Sequence, residues 1–473
     1  MPLDSDTLSS LWHDWDAREV RLREVVTDRL RSNPPPAVAD HVVASYFYAL
    51  RTTTLRQAAG EIVYHATSGI RNPPAGTLLA ECTATLAGIE AFDPAERMGL
   101  LHVAFPLKML LSADGRLTSV DLLHTLAGAV IFDVYENLDA RLVAIDLPEQ
   151  VIRGFPGPAH GPEGVRRMAG FGPTEPAFGT ILKPTAGITP DDVERLMTDV
   201  AACPLFLFVK EDENLYPNLD YSPVAERTRR AVAAIHKAKD RRGGRGLIFA
   251  PHITCAPHHL TEVLGAVVEA GAEGVMLSET FAGGAVRLVR EATRGMPNPP
   301  AIYGHNAGIG VKTRSIWREV LDLLARLDGI DFRQTAPVRP GQPFIRPYGD
   351  EWRASEDALT RPLPGIKPTM IARAGALDQG NLGPNLAEVR ERGLEGGVLF
   401  LAGSAINSIK NDAGRADPRL GAEAMSQAVE VFHSGDLACV PLAEHAAALY
   451  ALAGQRGLGA LSAALRQRYP EMG

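Results

Sequence analysis

The chain has 473 residues, 45% hydrophobic and 22% charged, with a formal net charge of −8. This composition excludes a disordered chain, and the acidic balance argues against broad binding to nucleic acid or to anionic membranes. No apolar run approaches the roughly 20 residues that span a bilayer, and the acidic, amphipathic start does not read as a signal peptide.

A cytoplasmic protein is therefore expected. Its four cysteines, Cys82, Cys203, Cys255 and Cys439, stand too far apart for a metal-type pair and are expected to be free thiols. In chain order, residues 1 to about 35 predict a helix ending at Pro34-Pro35-Pro36. Between 42 and 146, the apolar stretches VVASYFYAL, TLLAECTATLAGI, GLLHVAFPL and ARLVAIDLP predict strands, with helices at 53–60 and 119–128. Strands interleaved with helices predict a small α+β domain of ferredoxin-like type. The Gly- and Pro-rich segment 148–172 predicts a linker, so the expected domains are 1–147, with its helical extension, and 148–473.

Beyond the linker the rhythm is regular. Apolar runs at 177–184, 204–214, 246–255, 274–279, 300–308, 331–338, 368–375 and 398–405 alternate with helical stretches such as 190–202, 221–238, 259–271 and 313–327. Eight near-continuous apolar strands, each followed by a helix, predict a parallel (β/α)₈ TIM barrel; a doubly wound open sheet is the alternative, without a GxGxxG to favour it. Residues 419–473 predict C-terminal helices.

Polar residues collect at the ends of these strands: Lys183, then Lys210 to Glu213, His252 and Thr254, Ser278 and Glu279, His305 and Asn306, Arg373, and Gly403 with Ser404. In a barrel, that rim builds the active site. Strand alternation puts Lys210 and Asp212 on one side, and Glu213 can turn toward the same point from the loop. Two carboxylates suit Mg²⁺. A lysine beside them makes sense as a carbamate formed with CO₂, which turns the amine into an anionic oxygen ligand. A solvated charge run at a strand end is the competing reading of KEDE alone.

GTILKPTAGI (179–188) followed by FVKEDEN (208–214) resembles the paired signatures of the RuBisCO large subunit, GTI-x-KP-x-x-G and K-x-DEN. GVMLSETFAGG (274–284), YGHNAG (303–308) and LFLAGSA (399–405) resemble later segments of the same family, and the resemblance spans residues from about 40 to 440. It implies Mg²⁺ held by Asp212, Glu213 and carbamylated Lys210. It also implies Lys183 as a proton shuttle, His305 as a substrate-contacting histidine, and Gly403 and Ser404 as part of a phosphate turn. Asn306, Arg373 and Gly375 are further substrate- or phosphate-binding candidates, and His252 a further catalytic one.

The departures matter equally. Thr185 stands where the family has a second lysine, and Asn306 where it has an arginine. Gln334 and Gly341 stand nearest to the sixth-strand histidine and the mobile-loop lysine, and Arg373 replaces a serine. In the N-terminal domain, His65 in YHATSG aligns with a glutamate, and Ala129 in LAGAVIF with an asparagine that crosses the dimer. CO₂ fixation is thus not expected, and the chain resembles the RuBisCO-like, form-IV group. The implied chemistry is enolate stabilisation on a phosphorylated small molecule, with C–C cleavage of the 3-oxo-isoapionate 4-phosphate type preferred. An enolase or isomerase of a methylthio-sugar phosphate is the alternative, and a non-catalytic binding protein the alternative of another class. The family also implies a homodimer or higher homo-oligomer, in which His65 serves the partner's barrel.

Overall fold

The computed structural model describes residues 5–133, 137–338 and 351–472. It forms two compact units, Met1–Gly154 with Val311–Leu321, and Phe155–Gly310 with Asp322–Gly473.

In the first unit, β1 (His41–Leu50), β2 (Thr85–Ala91), β3 (Met98–Pro106) and β4 (Asn137–Asp146) form an antiparallel sheet in the order β2-β3-β1-β4. Strand β1 is central and almost wholly buried. Tyr46 and Tyr48, two apart and so on one face, donate their hydroxyls to the carbonyls of Leu126 and Val130 in the helical segment that covers the sheet. The helix Leu55–His65 starts at a capping box, in which Thr54 and Gln57 satisfy each other's backbone N–H groups. The stretch TLLAECTATLAGI departs from expectation: its first half is a helical turn, Leu78–Glu81, capped by Thr77, and the strand begins only at Thr85. A threonine cap on orphan N–H groups outweighs the apolar pattern there.

The second unit is a parallel barrel. Its strands are β5 (Ala177–Ile181), β6 (Phe206–Lys210), β9 (Ile248–Ala250), β10 (Gly274–Leu277), β11 (Ala301–Gly304), β12 (Phe332–Thr335), β13 (Met370–Ala374) and β14 (Val398–Ala402). A two-residue hairpin, β7 (Asn218–Leu219) with β8 (Ser222–Pro223), lies in the loop after β6. The barrel order is β10-β11-β12-β13-β14-β5-β6-β9, and a parallel bridge between His252 and Met276 joins the two ends. All eight expected strands are present, as are helices at Pro190–Ala201, Val224–Ala238, Leu260–Glu269 and Arg318–Asp328.

Two cores follow from strand alternation. Outward residues such as Phe178, Val209, Ile302 and Phe400 pack on the helices. Inward residues such as Ala177, Phe208, Met276, Tyr303, Phe332, Ala372 and Leu401 fill the barrel. Phe208 stacks on Tyr303 with ring centroids 5.2 Å apart and meets Phe332 at 4.7 Å. Gly179 points into this crowded layer, where a Cβ would come 2.8 Å from Leu401 and 2.9 Å from the Phe208 carbonyl. The segment expected as a linker is partly structural: the helix Gly161–Ala169 sends Val165 and Ala169 into the interior cluster, joined by Phe171. Its Gly-Pro start suits a helix N-terminus as well as a linker.

Candidate active site at the barrel mouth

The aromatic layer sets the height of the site. Two residues beyond inward Phe208 stands inward Lys210, and two beyond Tyr303 stands His305. Lys210 is 1% exposed, with its Nζ 5.8 Å from the Tyr303 ring centroid and 3.5 Å from Glu213 Oε2. Burial draws its ammonium down to about 8, against the opposing pull of Glu213 and Asp212.

Asp212 is buried beside it. Its Oδ1 accepts from the Asn214 backbone and side chain, both at 3.1 Å, and its Oδ2 accepts from Lys183 Nζ at 2.5 Å. Lys183 is inward by the same count, following Gly179 and Ile181, and remains 35% exposed at the mouth. His305 lies with Nε2 3.3 Å from Glu213 Oε2, and its Nδ1 accepts from Ala307 N–H at 3.1 Å. Burial holds the His305 imidazole well below its ordinary value, and the nearby Lys210 charge adds to the effect.

Glu211 shows what the opposite face of the same segment does. It is fully buried and takes both Nε and Nη2 of Arg227, at 2.7 and 3.0 Å, from the helix Val224–Ala238. Its Oε2 also accepts from the backbone N–H of His252 at 2.9 Å. In KEDE, therefore, the second residue anchors the strand end while the first, third and fourth face the mouth. His252 is 1% exposed, with Nδ1 3.2 Å from the Leu215 carbonyl and its ring 5.9 Å from that of Tyr216. Burial holds its imidazole down to about 4, so it is neutral near pH 7.

Among the described residues no three or more His, Cys, Asp or Glu side chains are arranged to hold a metal ion. The donor set fits Mg²⁺ on one condition: Lys210 must become an oxygen ligand beside Asp212 and Glu213.

The family model of the ribulose bisphosphate carboxylase large chain, catalytic domain, matches residues 166–345. A ribulose bisphosphate carboxylase from Archaeoglobus fulgidus is 28% identical over 347 residues, 69% of this chain and 73% of its own length. A 3-oxo-isoapionate-4-phosphate decarboxylase from Rhizobium rhizogenes is 27% identical over 371 residues, 76% of this chain and 80% of its own. A 3-oxo-isoapionate-4-phosphate transcarboxylase/hydrolase from Xanthobacter autotrophicus is 31% identical over 219 residues, 45% of this chain and half of its own. The solved structure of a RuBisCO-like protein (MtnW) from Alicyclobacillus acidocaldarius is 25% identical, with a TM-score of 0.73 over 91% of this chain and 99% of that one. The family match, the relatives and the fold together make the chain similar to RuBisCO-like proteins of the RuBisCO large-chain superfamily.

Within this RuBisCO-like barrel, Lys183, Lys210, Asp212, Glu213 and His305 form one cluster, and the charge of Lys210 reaches His252. Asn306 is buried alongside, donating Nδ2 to the Gln334 carbonyl at 2.9 Å. Gly375, with φ +94°, and the Gly403–Ser404 turn end their strands at the rim, and Gly375 and Ser404 are exposed.

Arg373 corrects the expectation. Met370, Ala372 and Ala374 point inward, so Arg373 points outward and is fully buried among the helices. It meets Glu356 through two 3.0 Å contacts, pairs with Glu388, and stacks 4.7 Å from the Trp352 ring centroid. A guanidinium so engaged is not available to a substrate. His65 lies exposed at the end of the helix Leu55–His65 in the first unit, 3.5 Å from Glu61. Gly341 lies outside the described residues.

The site also contains residues that motif reasoning left unassigned. Arg227 is visible in the sequence only as an ordinary helix cation. Ser278 was visible as a strand-end polar residue without a partner.

Proposed function

We propose that the chain is a Mg²⁺-dependent enzyme that stabilises an enolate of a phosphorylated, sugar-derived 3-oxo acid, of the 3-oxo-isoapionate 4-phosphate type, and cleaves a carbon–carbon bond of it by decarboxylation or hydrolysis. The reading rests above all on the buried Lys210 amine beside Asp212 and Glu213, with Lys183 on the same carboxylate. A lysine drawn toward neutrality can add CO₂ at Nζ with loss of one proton, and the resulting carbamate completes the oxygen donors. Mg²⁺ held there would withdraw charge from a ketone oxygen and stabilise an enolate.

The chain's own residues then divide the work. His305 holds Glu213 in place through Nε2. Lys183 Nζ, at the open side of the cluster, holds a proton for return to the enolate carbon. Loss of a β-keto carboxylate as CO₂ generates the enolate without a separate base. Neutral His252 is suited to hydrogen-bond a polar group of the substrate or a water. The turns at Gly375 and Gly403–Ser404 are the proposed seat of the phosphate. A homodimer or higher homo-oligomer, with His65 serving the partner's barrel, completes the proposal.

The names of the Rhizobium and Xanthobacter relatives support this substrate class. Gln334 and Gly341, in place of the sixth-strand histidine and loop lysine, weigh against carboxylation. Ala129, where the enolase group of the family uses a lysine base from the N-terminal domain, weighs against the enolase alternative. The test supplies 3-oxo-isoapionate 4-phosphate with Mg²⁺ and bicarbonate and follows CO₂ release. We expect turnover that a chelator abolishes. Turnover of a methylthio-sugar phosphate instead would establish the isomerase alternative. Failure of both substrates, with no Mg²⁺-dependent thermal stabilisation by sugar phosphates, would favour a binding protein.

A further inference from the structure

Two buried polar atoms at the mouth have no hydrogen-bond partner among the described residues: His252 Nε2 and Ser278 Oγ. Their residues are 1% and 4% exposed. Leaving such groups unpaired costs about 1–3 kcal/mol each, so a buried orphan is a place to look for a ligand.

The two belong to neighbouring strand ends. His252 pairs with Met276 in the bridge that closes the barrel, with Met276 N–H on the Pro251 carbonyl and Ile253 N–H on the Met276 carbonyl, both at 2.9 Å. Inward Met276 puts Ser278, two residues on, over the same inner face. The Ser278 N–H is held at 2.9 Å by Thr254 Oγ1, which ties the two strand ends together. His252 and Ser278 are therefore diagonal neighbours on the inner face, one pleat apart. Lys210 and Glu213 are close enough for their charges to act on the His252 ring.

Their chemistry is complementary. A carbonyl can only accept, so the Leu215 carbonyl at 3.2 Å places the proton of His252 on Nδ1 and leaves Nε2 as an acceptor. Ser278 Oγ–H is a donor as well as an acceptor. Nε2 needs a donor, and the buried Ser278 O–H hydrogen needs an acceptor, so a single group that serves both must donate and accept. A phosphate or carboxylate oxygen, fully ionised, cannot donate to Nε2, and an ammonium cannot accept from Ser278. An alcohol does both, and so does water.

We propose that His252 and Ser278 form a hydroxyl-binding subsite that selects a hydroxylated carbon chain in the substrate. The identity of that substrate rests on the function proposed above; the subsite itself rests on the two unpaired atoms. The pair determines specificity by rejecting a deoxy chain, which leaves both atoms buried and unsatisfied.

The test compares two unreactive acids, erythronate 4-phosphate, which carries hydroxyls on C2 and C3, and 4-phosphobutyrate, which lacks both. Their binding in the presence of Mg²⁺ is measured by calorimetry on the wild type and on Ser278→Ala and His252→Asn, the latter keeping a donor toward Leu215. We expect the wild type to prefer the hydroxylated acid about tenfold or more, and each variant to lose most of that preference. A preference that survives in both variants, or is absent in the wild type, overturns the proposal. If the wild type binds neither acid, the substrate class is wrong and a crystal structure grown with glycerol decides the subsite. A glycerol hydroxyl oxygen within about 3.2 Å of both Nε2 and Oγ sustains it, and a water or no oxygen there overturns it.

Discussion

Strands β6 and β13 each bury a cation near the C-terminal end of the barrel. Lys210 points inward, with its nearest carboxylate oxygen 3.5 Å away and an aromatic ring beneath. Arg373 points outward, with Glu356, Glu388 and Asn385 around its guanidinium. Both are at most 1% exposed. The inner cation is incompletely paired, and its charge is correspondingly easy to remove. The outer one is fully paired, as a cation holding helices to a strand must be. Alternation along a strand assigns each to its task, and the electrostatics follow: reactivity inside, rigidity outside.

The largest effect tests the inner side. Lys210→Met should reduce turnover by about a thousandfold or more, because no oxygen donor can form, yet leave the melting temperature equal or higher, since burying an ammonium costs free energy. Steady-state kinetics and a thermal melt measure both; a large loss of stability would make Lys210 a structural ion pair like Arg373.

Next is the outer side. Arg373→Met strands Glu356 and Glu388 and should destabilise the fold by about 3–5 kcal/mol in urea unfolding. A stable variant with altered KM alone would reverse the assignment and return Arg373 to the substrate.

A smaller effect is in pH. Lys210 has a folded value of about 8, below the ordinary lysine value of 10.5. Above about 8 the amine is neutral in the fold; below it the amine is protonated. At constant dissolved CO₂, the rate of activation by CO₂ should rise about tenfold per pH unit up to 8 and then level off. The same depression means folding stability should increase as pH rises between 8 and 10.5, where the unfolded chain still binds the proton and the folded one has lost it. Activation that keeps climbing to pH 10 would indicate an undepressed lysine.

The smallest expected effect is at the surface. His65 and Glu61 are both about two-fifths exposed, so His65→Ala should change the unfolding free energy by less than about 0.5 kcal/mol. Any loss of kcat in that variant would then report a role in the site rather than in folding.

Much of this was legible in the chain because the signals are local. Each barrel strand is a short apolar run, and KEDE carries its own alternation. Arg373 was not legible in the same way. In MIARA both faces are apolar enough to be buried, and only the neighbouring strands show that Met370, Ala372 and Ala374 line the interior. The segment TLLAECTATLAGI misled because a cap at Thr77 is a polar signal inside an apolar run. The pairing of His252 with Ser278 depends on the register between two strands 24 residues apart, which no local pattern carries.

The central claim is that Lys210 becomes a ligand. Carbon NMR of the protein incubated with ¹³C-bicarbonate and Mg²⁺ tests it most directly. The account predicts a carbamate resonance that strengthens with Mg²⁺ and vanishes in Lys210→Met. A wild-type spectrum without that resonance, or one unchanged by the substitution, would contradict it.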